Sequence, residues 1–186
     1  MTDWHLQQTV RCLRRGGLVA YPTEAVWGLG CDPLRLDSVR RLLALKQRPM
    51  AKGLILIAAH FSDLEPFLAP LHQGLYNRVM ESWPGPVTWL LPAQQWVPVE
   101  LRGVHDTLAV RVTAHPLARS LCEAFGGALV STSANPAARP PARNALQLRR
   151  YFHGRIDALL PGATGGAAAP SEIRDARTGR VLRPGG

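Results

Sequence analysis

The 186-residue chain is poor in several things that would have named a chemistry outright. It has three cysteines, Cys12, Cys31 and Cys122, with no C-x-x-C pair, so neither a disulfide framework nor a thiol redox motif is expected. Its six histidines show no H-x-x-x-H or H-E-x-x-H spacing, which argues against a zinc site. Aromatics make up 6%, and no RNA-stacking motif is present. The longest apolar run, Leu54–Ala59, is far short of the ~20 residues that span a bilayer. The N-terminus has no basic stretch followed by an apolar core, so no signal peptide is expected and the default location is cytoplasmic. There is no G-x-x-x-x-G-K-[ST] or G-x-G-x-x-G loop, so a nucleotide would have to be held another way. A G-x-S-x-G elbow or compact Ser/His/Asp set for hydrolysis is also missing.

Lysine is scarce too. Only Lys46 and Lys52 occur, so the formal charge of +9 is almost all arginine. It is unevenly spread: residues 1–62 hold nine basic and four acidic groups, residues 63–124 four and six, and residues 125–186 nine and three. Two basic ends around a mildly acidic middle point to a polyanion-facing surface drawn from both ends, although solubility alone accounts for such a charge as well.

Apolar content of 46% suits a globular protein, and the length suits one domain, expected over residues 1–186. Helical spacing predicts helices over 4–15, 71–82 and 144–152, another capped by Asp37 and running to Lys46, and one from Pro116 to Phe125. A capping box at Ser62-Asp-Leu-Glu65 predicts a short helix. Extended segments are expected at Leu18–Tyr21, Val26–Gly30, Leu54–Ala58, Val87–Leu91, Thr107–Thr113, Ala128–Ser131 and Ile156–Leu160. Alternating helices and strands give an α/β layered fold. The stretch 162–170 reads as a glycine-rich loop, and the tail after it as a solvated surface unless it folds over a site.

Five polar clusters stand out. Thr23 and Glu24 follow a buried strand, where α/β folds place ligand sites. Lys46, Arg48 and Lys52 crowd a helix C-terminus; they either complement its dipole or clamp a phosphate. On an alternating strand Thr107, Ala109 and Arg111 share a face, and a buried Arg111 needs either an internal acid or a ligand. Ser131-Thr-Ser-Ala-Asn135 sets hydroxyls and an amide at a strand end, suited to phosphate, ribose or a carboxylate, or else to a dense turn. Last come Ser171-Glu-Ile-Arg-Asp175 and Arg183.

In order along the chain, the strings YPTEAVWGLGCD (21–32), LLALKQRP (42–49), KGLILIAA (52–59), WPGPVTWLLPA (83–93), LAVRVTAHPLA (108–118), LVSTSAN (129–135) and PSEIRD (170–175) resemble the YrdC/TsaC family of threonylcarbamoyl-AMP synthases, in its short single-domain form. The family's K-x-R and S-x-N signature appears as Lys46, Arg48, Ser133 and Asn135. The resemblance implies a single YrdC-like domain, a twisted mixed sheet flanked by helices with a basic concave face. It also implies a reaction that joins L-threonine, bicarbonate or CO2, and ATP into threonylcarbamoyl-adenylate and pyrophosphate. Downstream threonylcarbamoyl-transferase proteins would then modify the adenosine beside the anticodon of tRNAs reading codons that begin with A. By the same resemblance Lys46, Arg48, Ser133 and Asn135 are catalytic and bind ATP together with Thr107 and Arg183. Thr23, Arg111, Ser131 and Ser171 hold L-threonine, and Mg2+ arrives with the ATP phosphates. The segment from Gly162 to Arg183 is expected to act as a lid.

Two positions depart from the pattern: Trp27 replaces a Tyr or Phe and is expected to pack alike, and Pro136-Ala-Ala follows the S-x-N triplet. The competing reading is a double-stranded RNA or ribosomal-RNA binder in ribosome maturation. A same-fold enzyme with another acyl acceptor or carbamoyl donor is a third.

Overall fold

A computed structural model describes residues 3–185; Met1, Thr2 and Gly186, included in the expected domain, lie outside it. The elements run α1 (Asp3–Arg14), β1 (Val19–Pro22), β2 (Trp27–Cys31), α2 (Leu36–Lys46), β3 (Ile55–Ala58), α3 (Gln73–Met80), β4 (Val87–Pro92), α4 (Val99–Arg102), β5 (Thr107–Val112), α5 (Pro116–Phe125), β6 (Leu129–Ser133), α6 (Ala145–Phe152), β7 (Ala158–Leu159), β8 (Glu172–Asp175) and β9 (Val181–Arg183). The strands form one mixed sheet in the order β7-β1-β2-β6-β3-β5-β4-β8-β9. This is the expected α/β class, a mixed sheet flanked by helices.

Local chemistry explains most of the boundaries. Pro116 opens α5, the His115 ring accepts from Ala118 N at 3.4 Å, and Gly126 ends the helix at φ +89°. Asp37 does not cap α2: the residue before the helix is Arg35, with no side-chain cap bond, and Asp37 sits in the first turn, where its charge favours the helix dipole. The expected Ser62 capping box forms no α-helix either. Two 3-10 turns, Phe61–Asp63 and Glu65–Phe67, stand there, because Pro66 lacks an N–H and disfavours helical geometry at Glu65. Short α4 and the strands β8 and β9 have no counterpart among the expected elements.

The sheet is covered differently on its two faces. On one, α2, α3 and α6 bring Val39, Leu42, Leu75, Val79, Leu148 and Phe152 against Ala20, Leu29, Leu56, Val110 and Val130. Trp27 is buried in this core. On the other, α1 and α5 set Val10, Leu13, Ala118 and Leu121 against Val19, Tyr21, Ile57 and Leu129. Two helices are too few for that face. A row of residues continues across it through register pairs, Gly30 with Ser131, Ser131 with Ile55, Ile55 with Ala109 and Ala109 with Leu90. Beyond Gly30 the row of Ser131, Ile55, Ala109 and Leu90 carries no helix and lies open as a trough over the middle strands.

Gly30 is confined from both sides. A Cβ there would lie 2.9 Å from the Tyr21 ring and 2.5 Å from Val130 O. Gly30→Ala is expected to destabilise the protein by about 1–3 kcal/mol, measured by chemical denaturation. Gly127→Ala, where nothing lies within 4 Å, should change stability little.

Candidate active site

The uncovered trough is the floor of a cleft of about 420 Å3. Ser131 and Ser133 from β6, Thr107, Ala109 and Arg111 from β5, and Gly28 from β2 line it. The walls are the Thr23–Val26 turn between β1 and β2, Arg48, Lys52 and Gly53, the end of α4 with His105, and Pro170, Ser171, Ile173, Leu182 and Arg183. Eight of the ten residues singled out in the sequence therefore share one cavity: Thr23, Arg48, Thr107, Arg111, Ser131, Ser133, Ser171 and Arg183.

Lys46 and Asn135 do not line it. Lys46 is only 5% exposed, and its ammonium donates to Ser133 O, to Asn135 O at 2.9 Å and to Asn135 Oδ1 at 3.3 Å. Burial, helped by the charge of Arg48, pushes it down to about 8, which leaves it mainly protonated at neutral pH. Ser133 Oγ in turn donates to Asn135 Oδ1 at 2.6 Å, and Asn135 Nδ2 ties down the carbonyls of Pro136 (3.1 Å) and Arg139 (2.8 Å). The signature is thus a staple: Lys46 and Asn135 lie beneath the floor and fix Ser133 and the loop that follows. An ammonium has three protons, and in this arrangement three oxygens take them.

The arginines follow one design. Arg48 Nε donates to Gly53 O at 2.9 Å; Arg183 Nε and Nη2 donate to Ser171 O at 3.3 and 2.7 Å; Arg102 Nε and Nη1 donate to Val97 O and His105 O at 3.0 and 2.6 Å. Backbone carbonyls orient these guanidiniums without neutralising them. Burial lowers the pKa of Arg48 and Arg183, and the charges of Arg111 and Arg48 lower Arg183 further. Five cations, Arg48, Lys52, Arg102, Arg111 and Arg183, share the cleft with a single carboxylate, Glu24.

Glu24 is itself engaged. Its Oε1 accepts from Thr113 Oγ1 at 2.7 Å, and its Oε2 lies 3.2 Å from Arg111 Nη2. Burial raises its pKa, but Arg111, the Thr113 hydroxyl and its own backbone N–H together hold it below the ordinary range, so it stays ionised. Arg111, 6% exposed, thus has the internal acid that one of the two alternatives required. The pairing is incomplete: Glu24 Oε2 and Arg111 Nε are buried without a hydrogen bond. Thr23 Oγ1 donates to Val26 O at 2.7 Å, which leaves it as an acceptor.

The polar tail is not a free surface, nor is it a separate flap. β8 pairs in parallel with β4, from Val87 opposite Glu172 to Leu90 opposite Asp175, and Ser171 Oγ lies 2.9 Å from Thr88 Oγ1. The glycine-rich segment before it is tied down by Gly165 N to Thr23 O at 3.0 Å and Ala167 N to Glu24 O at 2.9 Å. The segment expected to act as a lid is paired as a wall of the cleft, because the open edge of β4 supplies hydrogen-bond partners that a solvated tail would lack. Arg102 and His105 were missed in the sequence; they sit on α4 and the turn after it, whose short apolar pattern gave no signal.

A carboxylate-poor, arginine-lined cleft on an open sheet face defines an anion-binding α/β protein. The model of the family described as "Telomere recombination", the Sua5/YciO/YrdC domain, matches residues 11–185, and the chain belongs to this family. It is 62% identical to the threonylcarbamoyl-AMP synthase of Halorhodospira halophila over 171 residues, covering 92% of this chain and 90% of the relative. The enzyme of that name from Nitrosococcus oceani is 58% identical over 97% of this chain and 98% of its own length. Among solved structures, P. abyssi Sua5 complexed with L-threonine superposes with a TM-score of 0.93 at 32% identity; all of this chain is covered but only 55% of that one. E. coli YciO, at 24% identity and a TM-score of 0.86, shares the fold, covering 99% of this chain and 90% of its own.

Lys46→Met should leave Asn135 O without its donor, release the loop that the ammonium holds, and lower stability by about 1–3 kcal/mol. Arg48→Met, from a half-buried side chain, should cost less than about 1 kcal/mol. Denaturation of the two variants side by side checks this split, and equal losses would refute the staple.

Proposed function

We propose that this protein is an L-threonylcarbamoyl-adenylate synthase. The observation that carries the reading is the cleft itself, a concentration of oriented arginines, all but Arg111 without a carboxylate partner, among hydroxyls with no nucleophile–base pair. Relatives named for this activity align over nearly the whole chain. The Sua5 structure with threonine supports the amino acid as one substrate.

The chemistry needs such a site. The amine of L-threonine loses a proton and adds to CO2, supplied directly or from bicarbonate, giving a carbamate. A carbamate oxygen then attacks the α-phosphorus of ATP; the bond from that phosphorus to the bridging oxygen breaks, and pyrophosphate leaves with the electron pair. No proton moves in this nucleotidyl transfer. The obstacle is bringing two anions together, so positioning and charge neutralisation carry the catalysis. Arg48, Arg183, Ser133 and Thr107 take ATP. Thr23, Arg111, Ser131 and Ser171 take L-threonine, with Arg111 on its carboxylate. Lys46 and Asn135 act through Ser133. Mg2+ enters with the nucleotide. The one carboxylate of the cleft is held by Thr113 and Arg111, and no group of three or more His, Cys, Asp or Glu is poised for a metal ion among the described residues.

The labile product passes to downstream threonylcarbamoyl-transferase proteins that act on tRNA, a cytoplasmic task; among the described residues no helix is long and apolar enough to cross a membrane. Thr23, Ser131, Ser133 and Ser171 around one cavity are what a small-ligand enzyme needs and a duplex-RNA binder does not.

Purified protein given ATP, Mg2+, bicarbonate and L-threonine should release pyrophosphate only when the amino acid is present. L-2-aminobutyrate, which lacks the hydroxyl, should react at least ~100-fold less efficiently. Arg111→Met should raise the KM for threonine more than that for ATP. Pyrophosphate release that ignores threonine would refute the reading.

A further inference from the structure

Gly28 and Gly30 stand two apart on β2 and so share one face, the face that carries the cleft. Tyr21 uses the space they leave. It is fully buried, pairs in register with Gly28, and lays its ring across β2. A Cβ on Gly28 would stand 3.3 Å from that ring and 3.2 Å from Thr23 Cγ2; one on Gly30 would stand 2.9 Å from the ring and 3.1 Å from the phenol oxygen. The side chain of β1 thereby crosses β2 and reaches β6, where its hydroxyl donates to Val130 O at 3.5 Å. Gly30 is the register partner of Ser131, so the phenol arrives behind a residue of the cleft floor.

Burial raises the pKa of Tyr21, while a hydrogen bond with the Ser131 side chain lowers it. A bond that favours the phenolate is one donated to its oxygen, so the Ser131 hydroxyl gives its proton to Tyr21. What Ser131 then turns to the cleft is lone pairs. Thr23, next to β1 and also against Gly28, is left in the same state by its bond to Val26 O at 2.7 Å. Two acceptors in a cleft otherwise rich in donors call for a donor on the ligand. L-threonine has two, its ammonium and its hydroxyl. The nitrogen becomes the carbamate and must face the α-phosphorus, and the carboxylate goes to Arg111. The hydroxyl is the donor left for Ser131.

We infer that Tyr21 is a positioning residue that fixes Ser131 as an acceptor for the side-chain hydroxyl of the amino acid, and so sets the discrimination between L-threonine and L-2-aminobutyrate. The inference rests on the adenylate-forming reading, with Ser131 among its amino-acid residues, and deepens it. Tyr21 is wholly buried, so it acts through Ser131 and touches no substrate itself. Without the phenol oxygen the Ser131 hydroxyl is free to turn and to donate. The threonine hydroxyl then loses a fixed acceptor, and an analogue lacking that hydroxyl loses nothing.

Pyrophosphate release with each amino acid reads this contact during turnover, and calorimetry with the amino acids alone reads it without ATP. Tyr21→Phe keeps the ring and removes the oxygen. It is expected to lower the ratio of kcat/KM for L-threonine over L-2-aminobutyrate about three- to tenfold, the loss of one neutral hydrogen bond. The ratio of the two affinities should fall alike, and the KM for ATP should not move. Ser131→Ala should lower the ratio at least as far, and adding Tyr21→Phe to it should lower it no further, because the two hydroxyls act as one. Tyr151→Phe, on α6 at the opposite face of the sheet, should change neither measurement. A merely structural role for Tyr21 would weaken both amino acids equally and leave the ratio where it was; that outcome overturns the inference, as does additivity of the two substitutions. Wild-type turnover with a ratio indifferent to Tyr21 removes the inference alone. A wild type without threonine-dependent turnover removes the adenylate-forming reading, and this role with it.

Discussion

A strand presents its side chains to two faces in turn, and in β5 and β6 this alternation separates two tasks. Leu108, Val110 and Val112 point into the larger core, as does Val130. Thr107, Ala109, Arg111, Ser131 and Ser133 point the other way and meet no helix over most of their length. Because the rigid half of each strand is fully buried, the functional half inherits its precision: shifting Ser131 would require shifting Val130 against Leu56. The site thus stands on the framework itself, and only its walls come from loops.

The electrostatics follow from the same economy. Carboxylates would hold arginines firmly but would also cancel them. Carbonyl partners fix Arg48, Arg102 and Arg183 while leaving the charge available to an anion. Arg111 is the exception, paired with Glu24 within a cluster that keeps two buried atoms unsatisfied. Such unpaired atoms cost stability.

Much of this was legible in the residues. The helices were expected close to where they fall, because 3.6-residue periodicity, Pro116 and the glycine stops are local signals. The strands were too, wherever apolar runs are long. The shared face of Thr107 and Arg111 followed from strand geometry alone. Other features depend on partners distant in sequence. Glu172–Asp175 is too polar to read as a strand, and becomes one because β4 offers an edge. Ser62 and Asp37 carry capping chemistry that Pro66 and the actual helix start override. Lys46 reads as a cation at a helix end; only the fold reveals that Ser133 and Asn135 lie over it. Glu24 and Arg111 were both noticed, but eighty-odd residues of chain hide that they face each other.

β9 is the outermost strand of the sheet, its three residues are exposed, and it pairs only with β8. A wall of the cleft therefore belongs to the part of the molecule with the least to hold it. Edge strands of this kind exchange their amide hydrogens through local openings that leave the core intact. The binding site and the hydrophobic core would then melt as separate events, with the site's affinity governed by the weaker of the two. Occupancy by a ligand that bridges Arg183 to the opposite wall would fuse them into one cooperative unit, so that the filled protein unfolds as a whole where the empty one first unzips at its edge.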